Sequence, residues 1–250
     1  MQNSPPILAP LVRKLSLHKA LSSEDKAAVL ALPHKVRQLE PGQYLVREGD
    51  KPTHSCLVTK GFAIRQKLTG QGARQILNFH MVGDMADLQN SLLEIADHNV
   101  QALTPMEGAF IPREAMVELS FSRPAVGQAL WLETLVEGSI SREWVMNVGR
   151  RDAQQRLAHL LCEFAYRLDA VGLGRECNYE LPMTQDQLAD TTGLTPVHVN
   201  RTLKALDAAG LTRRSRRSVV ITDLKKLAQF GDFRSTYLHL PQHALPEHLQ

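Results

Sequence analysis

Cysteine is scarce in this chain of 250 residues: Cys56, Cys162 and Cys177 are odd in number and far apart, with no Cys-x-x-Cys or mixed His/Cys spacing. That pattern argues against a disulfide framework and a structural zinc site, and leaves reduced core or surface thiols, with redox sensing as the lesser alternative. No apolar run approaches the ~20 residues a membrane span needs. Residues 1–10 are Pro-rich and polar, without the charged and apolar regions of a signal peptide. A soluble cytoplasmic protein with no membrane partner is expected. Neither a Ser/His/Asp nor a Walker-type signature is present, so catalysis has no visible machinery and an enzyme is not expected. A large excess of either charge is also lacking, since 29 Lys and Arg stand against 26 Asp and Glu for a net value of only +3.

What the chain does carry is concentrated in residues 181–222. Thr184 is a candidate N-cap, followed by a short helix from Gln185 to Thr191 with Leu188 and Ala189 on one side. Gly193 supplies a turn. Thr195 is a second N-cap, and Pro196 takes the first helical position, where its missing N–H costs nothing. The second helix then places Val199, Leu203, Leu206 and part of Thr202 inward. Val197, His198, Asn200, Arg201 and Lys204 are left outward or on the flank. Those residue types suit a major groove: Arg forks to guanine, Asn bonds adenine and Val touches a thymine methyl. Lys204 and the hydroxyls of Thr184 and Thr195 hold phosphates.

After Gly210, two short strands around Arg213, Arg214, Arg216 and Arg217 read as a basic wing lying along the DNA backbone. Residues 201–226 hold eight Lys and Arg against Asp207 and Asp223, so the positive charge gathers where the motif sits. Two packed helices with a solvated basic hairpin would be the bland explanation. It is disfavoured because caps, turn glycine, proline and basic wing occur together and in order.

The first 120 residues have a different texture. A short helix, Ser23 to Leu32 with Ser22 or Ser23 as cap, precedes glycines at 42, 49, 61, 70, 72 and 83 between short apolar segments. Residues 44–46, 55–59, 62–65, 74–79 and 100–103 are the best strands, with a hairpin turn at residues 69–72; strands so spaced close into a jelly-roll barrel. From Pro124 to about Val148 the pattern is one long helix. Leu130, Thr134, Gly138, Ser141, Val145 and Val148 make a narrow seam that suits a parallel homodimer, unless Leu132, Leu135 and Ile140 simply pack the helix on its own barrel. Gly149 to Asp152 reads as a hinge, followed by a helix over residues 154–169 with Leu157, Leu160, Leu161 and Phe164 on its core side.

Barrel, long helix, hinge and winged helix-turn-helix together resemble the CRP/FNR family of bacterial transcription regulators over nearly the whole chain. Three segments carry the resemblance: Leu39 to Asp50, with Pro41-Gly42 and Glu48-Gly49-Asp50; Gly61 with Val82-Gly83-Asp84; and Thr195-Pro196-Val197-His198-Val199-Asn200-Arg201, which is similar to a subgroup signature. The resemblance implies an α+β fold: an N-terminal double-stranded β-helix (jelly-roll, cyclic-nucleotide-binding-like) barrel, a long dimerisation helix and a C-terminal winged helix-turn-helix. The corresponding boundaries are a sensor barrel at 1–122, the dimer helix at 123–150, the DNA-binding domain at 151–228 and a tail at 229–250. It further implies a homodimer on a near-palindromic DNA operator. RNA polymerase is an implied partner, through loops such as Gly172-Leu173-Gly174-Arg175, though repression by occlusion fits the residues equally. DNA contacts are expected from Thr184, Gln185, Thr195, Pro196, Val197, His198, Asn200, Arg201, Lys204, Arg213, Arg214, Arg216 and Arg217. Of these, Pro196, Val197, Asn200 and Arg201 match the family's base-facing positions. Val197 stands where the family usually has Glu, so the operator should depart from the familiar consensus types.

The sensor pocket departs from the cyclic-nucleotide-binding relatives, which use Gly-Glu-x-Leu and then Arg-Ser to grip ribose and phosphate. Here the stretch is Gly83-Asp84-Met85-Ala86-Asp87-Leu88, and Asp97-His98-Asn99 stands near the Arg-Ser place. Asp84, Asp87, Leu88, His98 and Asn99, with Ser141 and Arg142 on the long helix, are the candidate effector residues. No arginine is in place for a phosphate, so cyclic AMP or GMP is not expected. The N-terminal cysteine cluster of the iron–sulfur members is missing, and no cofactor is expected. Haem on His80 or His98 is an alternative, as is a small effector of unknown identity or a constitutive regulator. A metal-dependent jelly-roll enzyme is the reading from another class, but no His-x-His or His-x-Asp/Glu pair lies on a predicted strand. His239, His243 and His248 sit in the Pro-rich tail.

Overall fold

A computed structural model describes residues 5–173, 178–215 and 218–241. The chain forms two compact units, residues 1–72 with 77–137 and residues 73–76 with 138–250, so the division falls inside the long helix. Among the described residues, no helix is long and apolar enough to cross a membrane.

The first unit opens with helices α1 (Ala9–His18) and α2 (Ser23–Leu30). Ser22 caps α2 in a reciprocal box: its hydroxyl accepts from the Asp25 N–H, and the Asp25 carboxylate accepts from the Ser22 N–H. Strands β1 (Lys35–Leu39), β2 (Tyr44–Val46), β3 (His54–Lys60), β4 (Ala63–Leu68), β5 (Arg74–His80), β6 (Asn99–Ala102) and β7 (Met106–Pro112) follow, then α3 (Arg113–Ser122) and α4 (Pro124–Arg150). The strands pair into two antiparallel sheets, β1-β7-β3 and β2-β6-β4-β5, with Cys56 opposite Phe110 and Ile64 opposite Gln101. One core lies between strands and includes Val46, Cys56, Val58, Ala63, Val100, Met106 and Phe110. A second joins Leu57, Ala109 and Ile111 to Leu11, Leu15, Val29, Met116 and Val126 of the helices. Side chains alternate along a strand, so β3 and β7 feed both cores.

The strands at residues 44–46 and 74–79 and the long helix from Pro124 lie where the periodicity predicts them. Helices α1 and α3 and strands β1 and β7 do not stand out in the sequence. Four of the five β1 residues are exposed. In β7, Gly108 interrupts the pattern; a Cβ there would come within 2.7 Å of the Sγ of buried Cys56, which would have to shift to admit it.

The second unit contains the end of α4, then α5 (Ala153–Ala170), β8 (Asn178–Glu180), α6 (Gln185–Thr192), α7 (Pro196–Ala208), β9 (Thr212–Ser215), β10 (Ser218–Ile221) and α8 (Leu224–Phe230). Its sheet runs β8-β10-β9, all antiparallel. Helix α5 packs on α6, α7 and α8, and Leu157, Leu161, Phe164, Leu188, Val199, Leu203 and Leu227 are all buried. Strand β8, unforeseen in the sequence, is tied to α5 by Tyr179, whose hydroxyl donates to the Leu161 carbonyl at 3.0 Å.

The predicted hinge is a pinned corner. Asp152 caps α5 through two backbone N–H groups, and Arg151 is buried, donating to Glu143 at 2.7 Å and to Asp232 at 3.1 Å. Asp232 belongs to the segment read as a tail. In that segment Phe233 and Leu238 are buried, and Tyr237 donates to the buried Glu163 at 2.7 Å. Residues 242–250, with His243 and His248, lie outside the described residues.

Gly61, between β3 and β4, has φ 77°, and a Cβ there would collide with the Pro105 carbonyl oxygen. Gly61→Ala should therefore lower stability by at least roughly 1–3 kcal/mol, the cost of the strained backbone alone. Urea unfolding of the purified protein measures this. A wild-type midpoint would contradict the tight turn.

Candidate nucleic-acid interface

Local chemistry builds the helix-turn-helix. At the start of α6 the Thr184 hydroxyl accepts from the Gln187 N–H at 3.2 Å, while the Gln187 side chain accepts from the Thr184 N–H at 2.8 Å. Gln187 is the half of this box that the sequence reading missed, although Thr-x-x-Gln is its signature. Helix α6 ends at Gly193, whose φ of 65° lies in the left-handed region that glycine occupies without strain. The α6 end is also held by Arg156, an unforeseen contact in which the guanidinium donates to the Thr192 carbonyl at 2.9 Å. Thr195 then caps α7, accepting from the His198 N–H at 3.3 Å, and Pro196 takes the first turn.

Helix α7 buries Val199, Thr202, Leu203 and Leu206. Its other face presents Pro196, Val197, His198, Arg201 and Lys204 as exposed residues, with Asn200 half-buried. Gln185, Pro196, Val197, Asn200, Arg201 and Lys204 line one shallow depression. His198 stands on the flank. Among the described residues, the side chains of Asn200, Arg201 and Lys204 enter no hydrogen bond or ion pair, so their donors remain available.

The wing is less uniform than its charge suggests. Arg213 is exposed on β9. Arg214, expected at the DNA backbone, is turned inward to Asp207 at the end of α7, donating to it at 2.9 and 2.8 Å. Asp207 also accepts from Thr212 at 2.6 Å. The nearest carboxylate captures this arginine, a tertiary contact invisible to a count of charges. Arg216 and Arg217 lie outside the described residues, as do Gly174 and Arg175 of the loop read as a polymerase contact.

In the first unit, the candidate effector residues are engaged by the protein itself. Asp84 accepts from Lys14 at 2.8 Å and from the Met81 N–H at 3.0 Å. Asp87 is buried and accepts from the Cys56 N–H at 2.7 Å; burial pushes its carboxyl up to about 7. Leu88 is buried in a short 3-10 turn, Leu88–Ser91. His98 bridges Gln89 and Asp97, at 3.0 and 2.6 Å, and burial lowers its pKa. Asn99 accepts from the Glu48 N–H. Ser141 and Arg142 are exposed on the part of α4 that belongs to the second unit, where Arg142 donates to Ser139.

An arginine that the sequence motifs do not mark lies beside the Gly83–Leu88 stretch, although it is paired within the protein. Arg65, from β4, pairs with Glu137 of α4 at 2.6 Å and donates to the Ala86 carbonyl and to Gln89 at 2.9 and 3.3 Å. Asn78 donates to the same Glu137 carboxylate. The arginine comes from a strand rather than from the loop that aligns with the family pair, so a motif search passes over it.

On α4, packing treats the residues of the predicted seam differently. Leu130 is buried in its own unit's core with Val126 and Ala129. Trp131, Leu135 and Val145 are 68%, 52% and 74% exposed, respectively. With Gly138 between them they repeat at spacings of four, three and seven, one residue out of step with Leu130 and Thr134 in the first half of the helix.

An antiparallel barrel joined by a long helix to a winged helix-turn-helix with an unspent polar face defines a DNA-binding transcription regulator. A family model described as a Crp-like helix-turn-helix domain matches residues 155–230, and one described as a cyclic nucleotide-binding domain matches residues 36–123. The chain is 31% identical over 217 residues to the probable transcriptional regulator flp of Lacticaseibacillus casei, covering 86% of this chain and 95% of that protein. It is 29% identical over 220 residues to the transcriptional activator protein FnrL of Cereibacter sphaeroides, covering 85% and 88%. The solved structure of FixK2 from Bradyrhizobium japonicum shares the fold, with a TM-score of 0.73 at 22% identity over 80% of this chain and 98% of that one. The chain belongs to the CRP/FNR family of transcription regulators.

Asp87 provides a titration to test. Its folded pKa of about 7 lies above the ordinary 3.8, so the folded state holds a proton that the unfolded state releases. Its contribution is full below the unfolded value and is lost as pH rises through the folded one. Asp87→Asn keeps an acceptor for the Cys56 N–H and removes the titration. Relative to that variant, the wild-type protein should lose thermal stability between about pH 4 and pH 7 and run parallel above. Melting curves across this range measure the difference, and parallel behaviour throughout would refute the protonated, buried carboxyl.

Proposed function

We propose that this regulator acts as a homodimer on a near-palindromic operator, each protomer laying α7 in the major groove of one half-site. The observation that carries the reading is the convergence of Gln185, Val197, Asn200, Arg201 and Lys204 on one outward depression whose polar groups no other part of the fold uses. A dimer places two such helices about one helical turn, ~34 Å, apart. The exposed strip Trp131, Leu135 and Val145 supports α4 as the pairing surface, because large apolar side chains at heptad-like spacing gain most from a second helix.

The barrel works without a cyclic nucleotide in this reading. A bound phosphate needs an uncommitted positive fork, and the Arg65 charge is already neutralised by Glu137. Two of the three cysteines, Cys56 and Cys162, are buried in the folded chain, which favours regulation without an iron–sulfur cluster.

Selection of sites from a random DNA library by the purified protein, with no ligand added, tests the whole reading, and a palindrome is the expected product. On that sequence, Arg201→Ala should weaken binding by about 10- to 100-fold, as expected for loss of a bidentate guanine contact. Lys204→Ala should instead reduce the salt dependence by a slope of about 0.9 for one phosphate contact. Fluorescence anisotropy at several salt concentrations separates the two, and unchanged affinity in Arg201→Ala would reject α7 as the recognition helix. Leu135→Glu should sediment as a monomer at concentrations where the wild type is a dimer. A fully dimeric variant would move the interface elsewhere.

A further inference from the structure

Two residues of the recognition face, Pro196 and Val197, carry side chains with no means of hydrogen bonding. Val197 is 77% exposed at the second position of α7, with Thr195 capping the helix start and Pro196 setting its first turn. It is three residues from Asn200, four from Arg201 and seven from Lys204, so all four share one strip of the helix surface. A valine in a helix has essentially one side-chain rotamer, so its two methyl groups form a fixed apolar surface at the end of the helix that leads into the groove.

Resting on the regulator reading above, we infer that Val197 selects thymine in each half-site by packing against its C5-methyl group. Thymine is the base that presents an apolar group at the major-groove edge. Any other base facing Val197 would bring an amino group, O6 or N7 against methyl groups, stripping water from a polar atom and returning no hydrogen bond. The preference is thus two-sided, a gain with thymine and a penalty with the alternatives. Arg201 and Asn200 supply the hydrogen-bonded reads beside it, their groups unengaged in the folded chain, in contrast to Arg214, which Asp207 has captured. Val197 and Arg201 are separated by about 6 Å along the helix axis. Base pairs are spaced at ~3.4 Å, so the selected thymine lies within about two base pairs of the guanine that Arg201 reads.

The test starts from the palindrome selected by the full-length wild-type protein. Each thymine of the half-site is replaced in turn, symmetrically, by uracil, which removes only the 5-methyl group and leaves every hydrogen-bonding edge intact. One position within two base pairs of the Arg201-dependent guanine should lose about fourfold in affinity per half-site, the effect of burying one methyl group. The same substitution should leave Val197→Ala nearly indifferent; Val197 is exposed, so that variant retains the fold. Uracil tolerated at every position by the wild type, or sensitivity that persists in Val197→Ala, would overturn the inference and leave the regulator reading standing. Failure to select any sequence, with or without cell extract, would instead overturn the regulator reading and this inference with it.

Discussion

One buried carboxylate organises the DNA-binding unit. Glu163 of α5 is 1% exposed and accepts from the Trp144 indole of α4 at 2.9 Å, the Tyr237 hydroxyl at 2.7 Å and Arg167 at 3.2 Å. A carboxylate removed from water is costly unless such donors surround it, and losing one of them strands charge in the core. The three donors come from the end of the long helix, from α5 itself and from the segment beyond the wing. Arg151 repeats the arrangement at the corner with Glu143 and Asp232. Because α6 and α7 pack on α5, the direction of the recognition helix relative to the end of α4 follows from these contacts.

The barrel uses the same physics for a different end. Arg65 and Glu137 tie β4 to α4 by a short ion pair, with Asn78 and Gln89 taking further hydrogen bonds. Burial raises the Glu137 pKa while the Arg65 charge opposes that rise, so the carboxylate's ionisation depends on its partner. Asp87 lacks a comparable partner and is held near neutrality by burial. The barrel thus satisfies its internal charges from its own side chains and couples them to the long helix.

Much of the helix-turn-helix was legible because its signals are local. Caps at Thr184 and Thr195, the turn at Gly193 and the proline at 196 each act over a few residues, and the periodicity of Val199, Leu203 and Leu206 orients the rest. The barrel was legible only in part. Strand β7 hides behind Gly108, which faces the buried Cys56 side chain, and β1 carries mostly exposed residues that no apolar pattern marks. Strand β8 has three residues, too short to show alternation.

The sequence by itself determined the helix-turn-helix, the long helix and the polar side chains that α7 turns outward, since caps, turn residues and apolar periodicity act over a few residues. Only the tertiary structure decided which charges stay free. Arg214 and Arg201 are the same residue type only 13 positions apart, yet Asp207 captures one while the other stays unpaired. On α4, likewise, the unit's own core claimed Leu130 while Trp131 stayed exposed. In both cases the deciding partner is brought up by packing, and pairing depends on distance in space, which spacing along the chain does not specify.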